Sequence, residues 1–556
     1  MPETIVPIQH QPPLPQDRLL LNEAPDEEAV PMDVAIVGGG PAGLACAIQL
    51  ANLVAADDEM DDLEIAVLEK AESPGEHNLS GAVVNPGPFR TLFPDLSDHD
   101  FPFRGPVENE RVYVLRESRA IRIPTPPPMR NHGNRIASIS EIVRWMSEQA
   151  EAAGVNVFAG FSVDSLLLDD DRVVGVRTVA TGLDRDGNMG AGGMPPTDVL
   201  GRVTVLAEGT RGPLSQAYLE WQGVVSQNPQ IFALGVKEVW ETKKPLDAVI
   251  HTMGWPLPND AFGGSFMYPL EPNRAAVGLV VGLDYHDTTL DPHVLFQRMK
   301  THPLFREYLE GGEMLEWGAK TIPEGGYHAL PGRRSGNGVV ILGDAAGFVD
   351  VPSLKGIHYA VQSGIFAARA IYEALKNDDA SAAALARYDT LVNESFIVSD
   401  LRKTRNMRPA FTSGFYRGGF KAALMTVTAG RFPGGKIDME PDAAAPKEVD
   451  GTGPGGSGAG EFTPDGELTF SKVDAVFKSG NQTRDDIPSH LVPAEDVPPE
   501  VAKLYVHMCP AGVYEQDDDG NLVINAPNCI DCKATDVLGP RWTAREGGAG
   551  PKYRAM

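Results

Sequence analysis

Cysteine is scarce in this sequence, which has only four in 556 residues. So few cysteines cannot build a disulfide scaffold, and their scarcity favours a reducing compartment. Three of them, Cys509, Cys529 and Cys532, nevertheless fall in one short stretch near the C-terminus. This clustering predicts a shared ligand role. Cys46 stands apart in an apolar helical segment, where a buried thiol is the plain explanation.

Long apolar runs and recognisable targeting segments are also absent. No stretch of about 18 or more apolar residues offers a span for a bilayer. The N-terminal segment MPETIVPIQHQPPLPQD lacks the charged-then-apolar build of a secretory signal and the arginine content of a transit peptide. We therefore predict that residues 1–32 form a disordered polar lead.

Positive charge is in short supply. Lysine and arginine number 48 against 76 aspartates and glutamates, a formal net charge of −28. Such an excess of negative charge disfavours nucleic acid as a partner. The length predicts two to four units, or one large domain with insertions, and the 42% hydrophobic content is that of an ordinary globular protein.

A glycine-rich turn in DVAIVGGGPAGLACAIQLANL separates an apolar strand from an apolar helix. Gly38, Gly40 and Gly43 form the pattern G-x-G-x-x-G. The first glycine permits a tight turn, the second lets the backbone approach a pyrophosphate, and the third allows close packing of helix and strand. The helix N-terminus adds partial positive charge. The pattern predicts a dinucleotide site, and a turn without a ligand is the alternative.

Two carboxylates indicate which dinucleotide binds. Glu69 ends the next strand, LEIAVLEK, where it can hold ribose hydroxyls, and an acidic insert explains its long distance from the glycines. Asp344 lies much later, in the turn after the strand GVVILGDAAG. In flavoproteins with two dinucleotide folds, an Asp in such a turn meets the ribityl chain, and the following helix points its N-terminus at the flavin. This predicts FAD rather than NAD. Helix capping is the other role open to Asp344.

Several further stretches carry a family resemblance. VLAEGTRG (205–212) resembles the strand and turn that returns to the FAD site. The stretches that indicate the family are EHNLSGAVVNP (76–86), GWPLPNDAFGGSFMYPL (254–270) and, at the C-terminus, CPAGVYE, NCIDCK and EGGAGP. In this order they resemble the electron transfer flavoprotein–ubiquinone oxidoreductase family. The resemblance runs from about residue 33 to the C-terminus.

The resemblance implies a mixed α/β (α+β) fold in several parts. These are a discontinuous FAD-binding domain of the two-dinucleotide-fold, Rossmann-like type over residues 33–440, an inserted quinone-binding β/α domain at about 220–330, a membrane-surface helix at about 411–432, a flexible linker over 441–461 and a C-terminal ferredoxin-like iron–sulfur domain over 462–556. The linker is also indicated by composition, since 450–461 reads DGTGPGGSGAGE.

The resemblance also implies site residues. For FAD these are Gly38, Gly40, Gly43, Glu69, Ser80, Gly81, Gly209, Asp344 and Gly347. For ubiquinone they are the backbone groups of Gly263 and Gly264, where a flat ring could approach an exposed N–H. A β-bulge without a ligand is the alternative for this pair. No side chain is assigned as a catalytic acid, base or nucleophile, because electrons pass through the cofactors.

The three clustered cysteines suit an iron–sulfur cluster, since two residues between Cys529 and Cys532 let one loop offer two sulfurs. The family pattern continues with another cysteine three residues after Cys532, where this chain has Thr535. We expect a 4Fe-4S cluster, with a three-iron cluster as a possibility. The candidates for the fourth place are oxygen from Thr535, Asp536, Asp531 or water. Zinc with His507, or no metal at all, are the alternatives.

One stretch has the character of a membrane surface. Leu401 to Ile437 contains no Asp or Glu, and its basic residues are Arg402, Lys403, Arg405, Arg408, Arg417, Lys421, Arg431 and Lys436. If the middle is helical, an apolar arc is formed by Phe411, Phe415, Tyr416, Phe420 and Val427. Aromatic and basic faces together suit a helix lying in the interface. Residues 118–135, also free of acids, could form a companion hairpin. A core-facing helix is the alternative.

The expected function is therefore that of a monotopic membrane enzyme. It would pass electrons from reduced electron transfer flavoprotein through an iron–sulfur cluster and FAD to ubiquinone. We expect it on an inner membrane, at the cytoplasmic face in a bacterium or the matrix face in a mitochondrion. The alternatives are an FAD-dependent reductase or hydroxylase of the geranylgeranyl-reductase type, and a non-catalytic flavin-bound interaction protein with a degenerate cluster.

Overall fold

The structure is a computed structural model that describes residues 3–81, 83–449 and 462–556. Its helices are α1 (Gln16–Leu19), α2 (Pro41–Ala55), α3 (Gly87–Leu92), α4 (Ile139–Ala152), α5 (Pro213–Trp221), α6 (Pro292–Lys300), α7 (Pro303–Leu309), α8 (Ile357–Lys376), α9 (Ala382–Asn393), α10 (Phe396–Thr404), α11 (Met407–Ala410), α12 (Phe415–Val427), α13 (Lys472–Lys478), α14 (Pro499–Met508) and α15 (Ala534–Leu538).

The strands of the first half are β1 (Thr4–Ile5), β2 (Leu20–Leu21), β3 (Val30–Val37), β4 (Ile65–Glu69), β5 (Val83–Val84), β6 (Phe103–Pro106), β7 (Glu110–Arg116), β8 (Arg119–Ile123), β9 (Arg135–Ala137), β10 (Asn156–Ala159), β11 (Val163–Asp169), β12 (Arg172–Thr178), β13 (Thr181–Leu183), β14 (Met189–Met194), β15 (Asp198–Leu206), β16 (Phe232–Glu241), β17 (Val249–Gly254) and β18 (Gly263–Glu271). Those that follow are β19 (Arg274–Gly282), β20 (Glu313–Pro323), β21 (Ser335–Gly336), β22 (Val339–Ile341), β23 (Lys447–Glu448), β24 (Leu491–Val492), β25 (Tyr514–Gln516), β26 (Leu522–Ile524) and β27 (Arg541–Trp542).

A nine-stranded sheet forms the first layer of the fold. Its centre is the parallel series β10-β4-β3-β15, and β22 also pairs in parallel with β15. β4 is buried along its whole length, as expected for a parallel strand covered on both faces. Because β3, β4, β15 and β22 run in one direction, the turns that follow them open at one edge of the sheet. That edge holds the predicted dinucleotide residues.

A seven-stranded sheet forms the second large unit, in the order β20-β16-β19-β18-β17-β7-β8. All its pairs are antiparallel except β17 with β7. The hairpin β7–β8 comes from the first part of the chain and extends the sheet beyond the predicted insertion at about 220–330. The sequence prediction of a companion hairpin at 118–135 falls on β8 and the turn that follows it.

The C-terminal module consists of short elements, α13 to α15 and β24 to β27. Its core is continuous with that of the seven-stranded sheet, because buried residues of both belong to one apolar cluster. Cys509, Cys529 and Cys532 lie inside this cluster, each less than a tenth exposed. The module is therefore packed onto the sheet rather than tethered to it.

Residues 3–32 differ from the disordered lead predicted from sequence. β1 pairs with β23 and β2 pairs with β11, and the side chains of Ile5 and Leu19 are buried. The physical reason is that a few apolar residues within a polar segment find partners far away in the chain. Residues 441–449 of the predicted linker are likewise packed, with Asp442 buried. Residues 450–461 lie outside the described residues.

Candidate functional site

A cavity of about 780 Å³ lies between the two large sheets. Its volume is in the upper part of the range for small-molecule sites. The sequence-predicted residues that line it are Gly38, Gly40, Glu69, Ser80, Gly81, Gly209, Asp344, Gly263 and Gly264. Gly43 and Gly347 do not line it. The cavity therefore joins the predicted dinucleotide residues and the predicted quinone residues in one space.

The glycines of the first turn have different physical roles. A Cβ atom at Gly38 would lie 2.4 Å from the carbonyl oxygen of Ala207, and one at Gly43 would lie 2.1 Å from that of Gly38. These two glycines are required by the packing of β3, β15 and α2. A Cβ atom at Gly40 would meet nothing closer than Asn78 Nδ2 at 3.6 Å. Gly40 is the N-cap of α2 and leaves open space, so it is the glycine that a ligand can approach.

Glu69 is the last residue of β4 and is buried. Its Oε2 accepts a hydrogen bond from the backbone N–H of Gly39, and its Oε1 accepts one from Ala71, each at 2.8 Å. These bonds hold the carboxylate beside the glycine turn at the cavity wall. Because a carboxylate has about four lone-pair positions, it can still accept ligand hydroxyls.

Asp344 lies in a single turn of 3-10 helix that follows β22. Thr210 Oγ1 is 3.4 Å from its Oδ2, and burial raises the pKa of Asp344 to about 6. Gly347 ends that turn with φ +81°, and Gly209 has φ +71° in the turn after β15. The long helix α8 begins ten residues beyond Gly347, at Ile357, instead of directly after the turn.

Gly263 and Gly264 are the first residues of β18. A Cβ atom at Gly263 would lie 2.0 Å from Val280 O, and one at Gly264 would lie 2.6 Å from Thr252 O. The close packing of β18 between β17 and β19 therefore explains both glycines, and the same packing leaves their backbone in the cavity wall. A side chain at either position would distort the sheet as well as the cavity.

Arg408 is a cavity residue that sequence reasoning missed. It was counted with the basic surface stretch, but its side chain is buried and donates to Glu324 Oε2 at 2.6 Å and Asp284 Oδ1 at 2.8 Å. Its guanidinium lies over the ring of Phe262, at 4.1 Å from the centroid. Its Nη1 has no hydrogen-bond partner among the described residues. The cavity thus has a free cationic donor beside Gly263, and no local sequence signal could have revealed it.

Lys237 on β16 is a second basic residue of the cavity wall that has an unpartnered nitrogen. Its side chain is 1% exposed, and its Nζ has no hydrogen-bond partner in the described part of the chain. Burial lowers the pKa of Lys237 to about 7. An ammonium group placed in this way favours an anionic or electron-rich ligand in the cavity, because such a ligand would offset the cost of burying the charge.

The three clustered cysteines converge in the C-terminal module. Burial raises the pKa of each thiol, and that of Cys532 reaches about 12. A thiol buried in this way stays protonated unless a metal replaces the proton, so three such groups fit a metal or a cluster. Tyr514 belongs to the same buried cluster as the three cysteines, and burial, followed by the charges of these cysteines, raises the pKa of its phenol well above the usual value.

Asp531 and Asp536 are held by other partners. Asp531 is ion-paired with Lys70 at 2.6 Å and Arg545 at 3.0 Å. Asp536 is ion-paired with Arg211 at 2.7 Å and accepts from the backbone N–H of Trp542. Both carboxylates therefore tie the module to its surroundings, and binding a metal would compete with these ion pairs.

His507 and His490 differ in position. His507 is on the helix α14 rather than in an extended segment, and its Nδ1 faces Asp291 at 3.8 Å. Residues two apart on a helix do not share a face, so His507 points away from Cys509. His490, not predicted from sequence, is buried, and a ring nitrogen lies within 4.8 Å of donor atoms of both Cys529 and Asp531.

The cluster module borders the cavity directly. Lys533 follows Cys532 in sequence and lines the cavity together with Trp542. Lys70, next to Glu69, also lines it and forms the ion pair with Asp531. Lys70 is thus adjacent in sequence to the predicted dinucleotide residue Glu69, and Lys533 is adjacent to the predicted cluster ligand Cys532. The two predicted cofactor sites therefore border the same cavity, an arrangement suited to electron transfer between them.

The cavity opens towards α12 and the turn after β8. Phe415, Ala422 and Thr426 line it from α12, and Pro126 and Met129 line it from the turn. The helix is shorter than the predicted 411–432, because Gly414 at φ +86° separates it from Phe411, which packs on Phe262 instead. Among the described residues, no helix combines the length and apolar character needed to cross a bilayer.

The outer face of this opening is apolar and exposed. Tyr416, Phe420 and Val427 on α12 are 72%, 68% and 85% exposed, and Ile121 on β8 is 47% exposed. Leu354, which lines the cavity, is 50% exposed. Exposed basic side chains flank them, namely Arg119, Arg122, Arg130, Arg417, Lys421 and Arg431.

Family models match three parts of the chain. Residues 232–322 match "ETF-QO, ubiquinone-binding", residues 466–554 match "Electron transfer flavoprotein-ubiquinone oxidoreductase, 4Fe-4S", and residues 36–94 match "NAD(P)-binding Rossmann-like domain". The first covers β16 to β20 of the seven-stranded sheet but not β7 and β8, and the second covers the C-terminal module. The third covers β3, α2 and β4.

Curated relatives align over nearly the whole chain. The mitochondrial electron transfer flavoprotein-ubiquinone oxidoreductase of Oryza sativa subsp. japonica is 38% identical, over 95% of this chain and 94% of that protein. The Homo sapiens protein of the same name is 36% identical, over 94% of this chain and 89% of that protein. Among solved structures, a geranylgeranyl bacteriochlorophyll reductase-like protein from Thermoplasma acidophilum has TM-score 0.56 and 18% identity, covering 72% of this chain and 92% of that one. This last likeness concerns the fold alone.

Proposed function

Because the chain belongs to the electron transfer flavoprotein–ubiquinone oxidoreductase family, we propose that it works at a membrane surface and reduces ubiquinone inside the large cavity. Membership makes the chain an oxidoreductase with FAD and a 4Fe-4S cluster that carries electrons from electron transfer flavoprotein to ubiquinone. FAD, when bound, exchanges electrons in pairs or singly, and a cluster passes them singly.

The FAD end of the cavity is assigned to the turns at the edge of the nine-stranded sheet. Gly40 leaves room for the pyrophosphate at the N-terminus of α2, and Glu69 offers its carboxylate to ribose hydroxyls. Ser80, Gly81, Gly209 and Asp344 complete the set. Gly43 and Gly347 act through the backbone of α2 and of the second turn. The residues present therefore fit the dinucleotide.

The quinone end of the cavity is assigned to the wall formed by Gly263, Gly264 and Arg408. The observation that supports it best is the unpartnered Nη1 of Arg408, a buried donor that a quinone oxygen could accept from. Phe262 holds the guanidinium from one side, and Glu324 and Asp284 fix its direction. A ring lying against Gly263 would meet this donor.

The membrane contact is assigned to the opening of the cavity. Exposed aromatic side chains of α12 and Ile121 of β8 can enter the apolar boundary of a bilayer, and the flanking basic side chains can contact anionic head groups. Ubiquinone is too apolar to leave the bilayer, so an opening on this face would receive it directly. The curated relatives carry the word mitochondrial in their names. We propose an inner-membrane location, at the matrix face in a mitochondrion or the cytoplasmic face in a bacterium.

The fold of a geranylgeranyl-reductase-like protein covers most of this chain, but the rival function leaves the C-terminal module unexplained. The match of residues 466–554 to a 4Fe-4S family model favours the electron-transfer function instead. The same match argues against zinc as the occupant of the cysteines.

Narrowing the opening tests the quinone assignment without touching the sheet. Ala422→Trp places an indole in the cavity from α12, where a side chain has no backbone neighbour of β18 to displace. We expect the rate of ubiquinone reduction to fall about tenfold or more, because the indole fills space that the quinone would occupy. The flavin content and the reduction of the flavin by electron transfer flavoprotein should not change.

Val427→Trp is the matched control, since it adds the same bulk at an exposed position of the same helix outside the cavity. Steady-state assays with a water-soluble ubiquinone analogue compare the two variants. Equal quinone turnover in Ala422→Trp and the control would refute the assignment of this opening to the quinone.

A further inference from the structure

The C-terminal module has too few thiols for a four-iron cluster. Such clusters are held by four protein ligands, usually cysteines, and the module contains Cys509, Cys529 and Cys532 only. Cys46 is completely buried in α2, within the core of the nine-stranded sheet. The fourth ligand must therefore be another kind of side chain, water, or nothing. The inference below rests on the proposed cluster in this module.

The carboxylates nearest the cysteines are already engaged. Asp531 balances Lys70 and Arg545, and also accepts from Trp542 Nε1 at 3.0 Å. Asp536 balances Arg211, which approaches it from the nine-stranded sheet. Releasing Asp531 would leave the buried Arg545 without its partner, which costs several kcal/mol. Releasing Asp536 would break its ion pair with Arg211. These carboxylates therefore lie beside the site and are not its fourth ligand.

His490 is the competing ligand. Both of its ring nitrogens lack a hydrogen-bond partner among the described residues. However, its Nε2 faces the Asp531 carboxylate at 3.9 Å, on the side of Cys529. That position is next to the ion-paired group of Lys70, Arg545 and Asp531, where the imidazole approaches one cysteine rather than all three.

Thr535 lies on the other side, next to the phenol of Tyr514. Thr535 follows Cys532 by three residues at the start of α15, and its side chain is buried. Its Oγ1 is 2.5 Å from the Tyr514 hydroxyl oxygen and 3.1 Å from the carbonyl oxygen of Pro540. A carbonyl only accepts, so the Thr535 proton goes to Pro540 and the Tyr514 hydroxyl donates to Thr535.

This arrangement leaves one lone pair on the Thr535 oxygen. A hydroxyl has one proton and two lone pairs; the proton is used by Pro540 and one lone pair by Tyr514. No other hydrogen bond reaches this oxygen from the residues that the structure describes. Tyr514 belongs to the same buried cluster as Cys509, Cys529 and Cys532, and Thr535 follows Cys532 by three residues, so this lone pair lies in the part of the module that holds the thiols.

We propose that Oγ1 of Thr535 is the fourth protein ligand of the cluster, held in place by the hydroxyl of Tyr514. The oxygen binds as a neutral hydroxyl, because its proton stays on the bond to Pro540. A cluster held by three thiolates and one hydroxyl has one negative charge fewer than a cluster with four thiolates. Its fourth iron should also be held more weakly, so that removal of one electron by an added oxidant such as ferricyanide would release that iron as Fe²⁺ and leave a three-iron cluster.

Two substitutions at Thr535 test this ligand in the full-length, FAD-containing protein purified without oxygen. Thr535→Val keeps the shape and removes the oxygen, so we expect one iron fewer per cluster. Thr535→Cys supplies a thiolate, so we expect a cluster that keeps all its iron through mild oxidation and has a lower midpoint potential. Iron and sulfide are counted per FAD, and electron paramagnetic resonance is recorded before and after mild oxidation.

Thr543→Val is the matched control. Thr543 is a buried threonine of the same module, and its hydroxyl donates to the carbonyl of His490 at 3.0 Å. We expect this variant to lose stability without losing iron. The comparison separates a ligand from a threonine that only supports the fold.

Several outcomes would overturn the ligand assignment while leaving the proposed function intact. One is a Thr535→Val protein with the full iron content and the oxidation behaviour of the wild type. Another is loss of one iron in His490→Gln but not in Thr535→Val. A wild-type protein with three irons even after reconstitution with excess iron and sulfide would show an empty corner. Stoichiometric zinc without iron or sulfide, in protein that retains its FAD, would contradict the cluster itself and with it the proposed function.

Discussion

At the scale of single residues, the three glycines of the first turn share a motif but not a physical role. Gly38 and Gly43 are required because a side chain would strike the backbone of the fold. Gly38 and Gly40 both line the cavity, but of the three only Gly40 has room for a Cβ atom. A substitution at Gly40 therefore tests ligand binding, whereas one at the other two tests folding.

We expect Gly40→Val to lose FAD while remaining folded. The valine side chain would occupy the space where a pyrophosphate approaches the N-terminus of α2, and the extended backbone at Gly40 (φ −85°, ψ −175°) accepts a β-branched residue. A clash of this kind should lower bound FAD at least about tenfold, the effect of roughly 1.4 kcal/mol in affinity. Visible absorbance after desalting measures the FAD, and circular dichroism measures the fold.

Gly105→Val provides the comparison for this substitution. Gly105 is in β6, has no neighbour within 4 Å of a built Cβ, and does not line the cavity. Its flavin content should equal that of the wild type. Full flavin absorbance in Gly40→Val would mean that the dinucleotide does not bind at this turn.

Residues with local roles could be predicted from the sequence, and residues defined by distant partners could not. Gly40 and Glu69 belong to a short strand–turn–helix pattern with a known physical purpose. Arg408 stands in a stretch that reads as basic surface, and its burial depends on Glu324 and Asp284, which are far away in sequence. A lone arginine carries no sign of such partners.

At the scale of elements, the composition of the α12 segment could be read from the sequence, but the bounds of the helix and the positions of its apolar side chains could not. The stretch was expected to form a helix over 411–432 with five apolar residues on one arc. The helix covers Phe415–Val427, and its apolar residues divide between two faces. Phe415 and Ala422 line the cavity, Phe420 is exposed and does not line it, and Tyr416 lies at the rim, since it lines the cavity and is also exposed. The glycine before the helix is the reason that Phe411 leaves the arc.

The outward face leads to a prediction about membrane attachment. Tyr416→Asp combined with Phe420→Asp replaces two of the most exposed aromatic side chains with charges. Since burying one large apolar side chain is worth about 1.5–3 kcal/mol, the two together should lower membrane partitioning by roughly a hundredfold or more. Flotation with vesicles that contain anionic lipid measures the bound fraction.

Val473→Asp combined with Phe477→Asp is the control for added charge. These residues are 68% and 83% exposed on α13 of the C-terminal module, far in sequence from α12. We expect this pair to float like the wild type. If both double variants float equally well, α12 is not the anchor.

At the scale of the whole molecule, the cluster module and the FAD domain are joined by ion pairs between buried carboxylates and partly exposed cations. Lys70 binds Asp531, and Arg211 binds Asp536. The seven-stranded sheet joins them as well, since the backbone N–H and the hydroxyl of Thr321 both donate to the carbonyl of Cys532. Three parts of the chain therefore meet at one point, beside the cavity.

The order of parts could be predicted from the sequence, because each part has its own motif. Their contacts could not, because they depend on pairings across hundreds of residues, such as Gln11 with Asp536. The same limit explains why the N-terminal lead was expected to be disordered. A mostly polar segment shows no strand pattern of its own when the strands with which it pairs lie far away in the sequence.

The proposed electron path is tested most directly by following electrons through the intact protein. Reduced electron transfer flavoprotein is mixed without oxygen with the purified, fully oxidised protein, and flavin absorbance and the paramagnetic signal of the cluster are followed in time. A ubiquinone analogue is then added. We expect both cofactors to become reduced in the first step and to be reoxidised in the second, with quinol formed in proportion to the electrons supplied. Cofactors that stay oxidised after the first mixing, or stay reduced in the presence of the quinone, would contradict it.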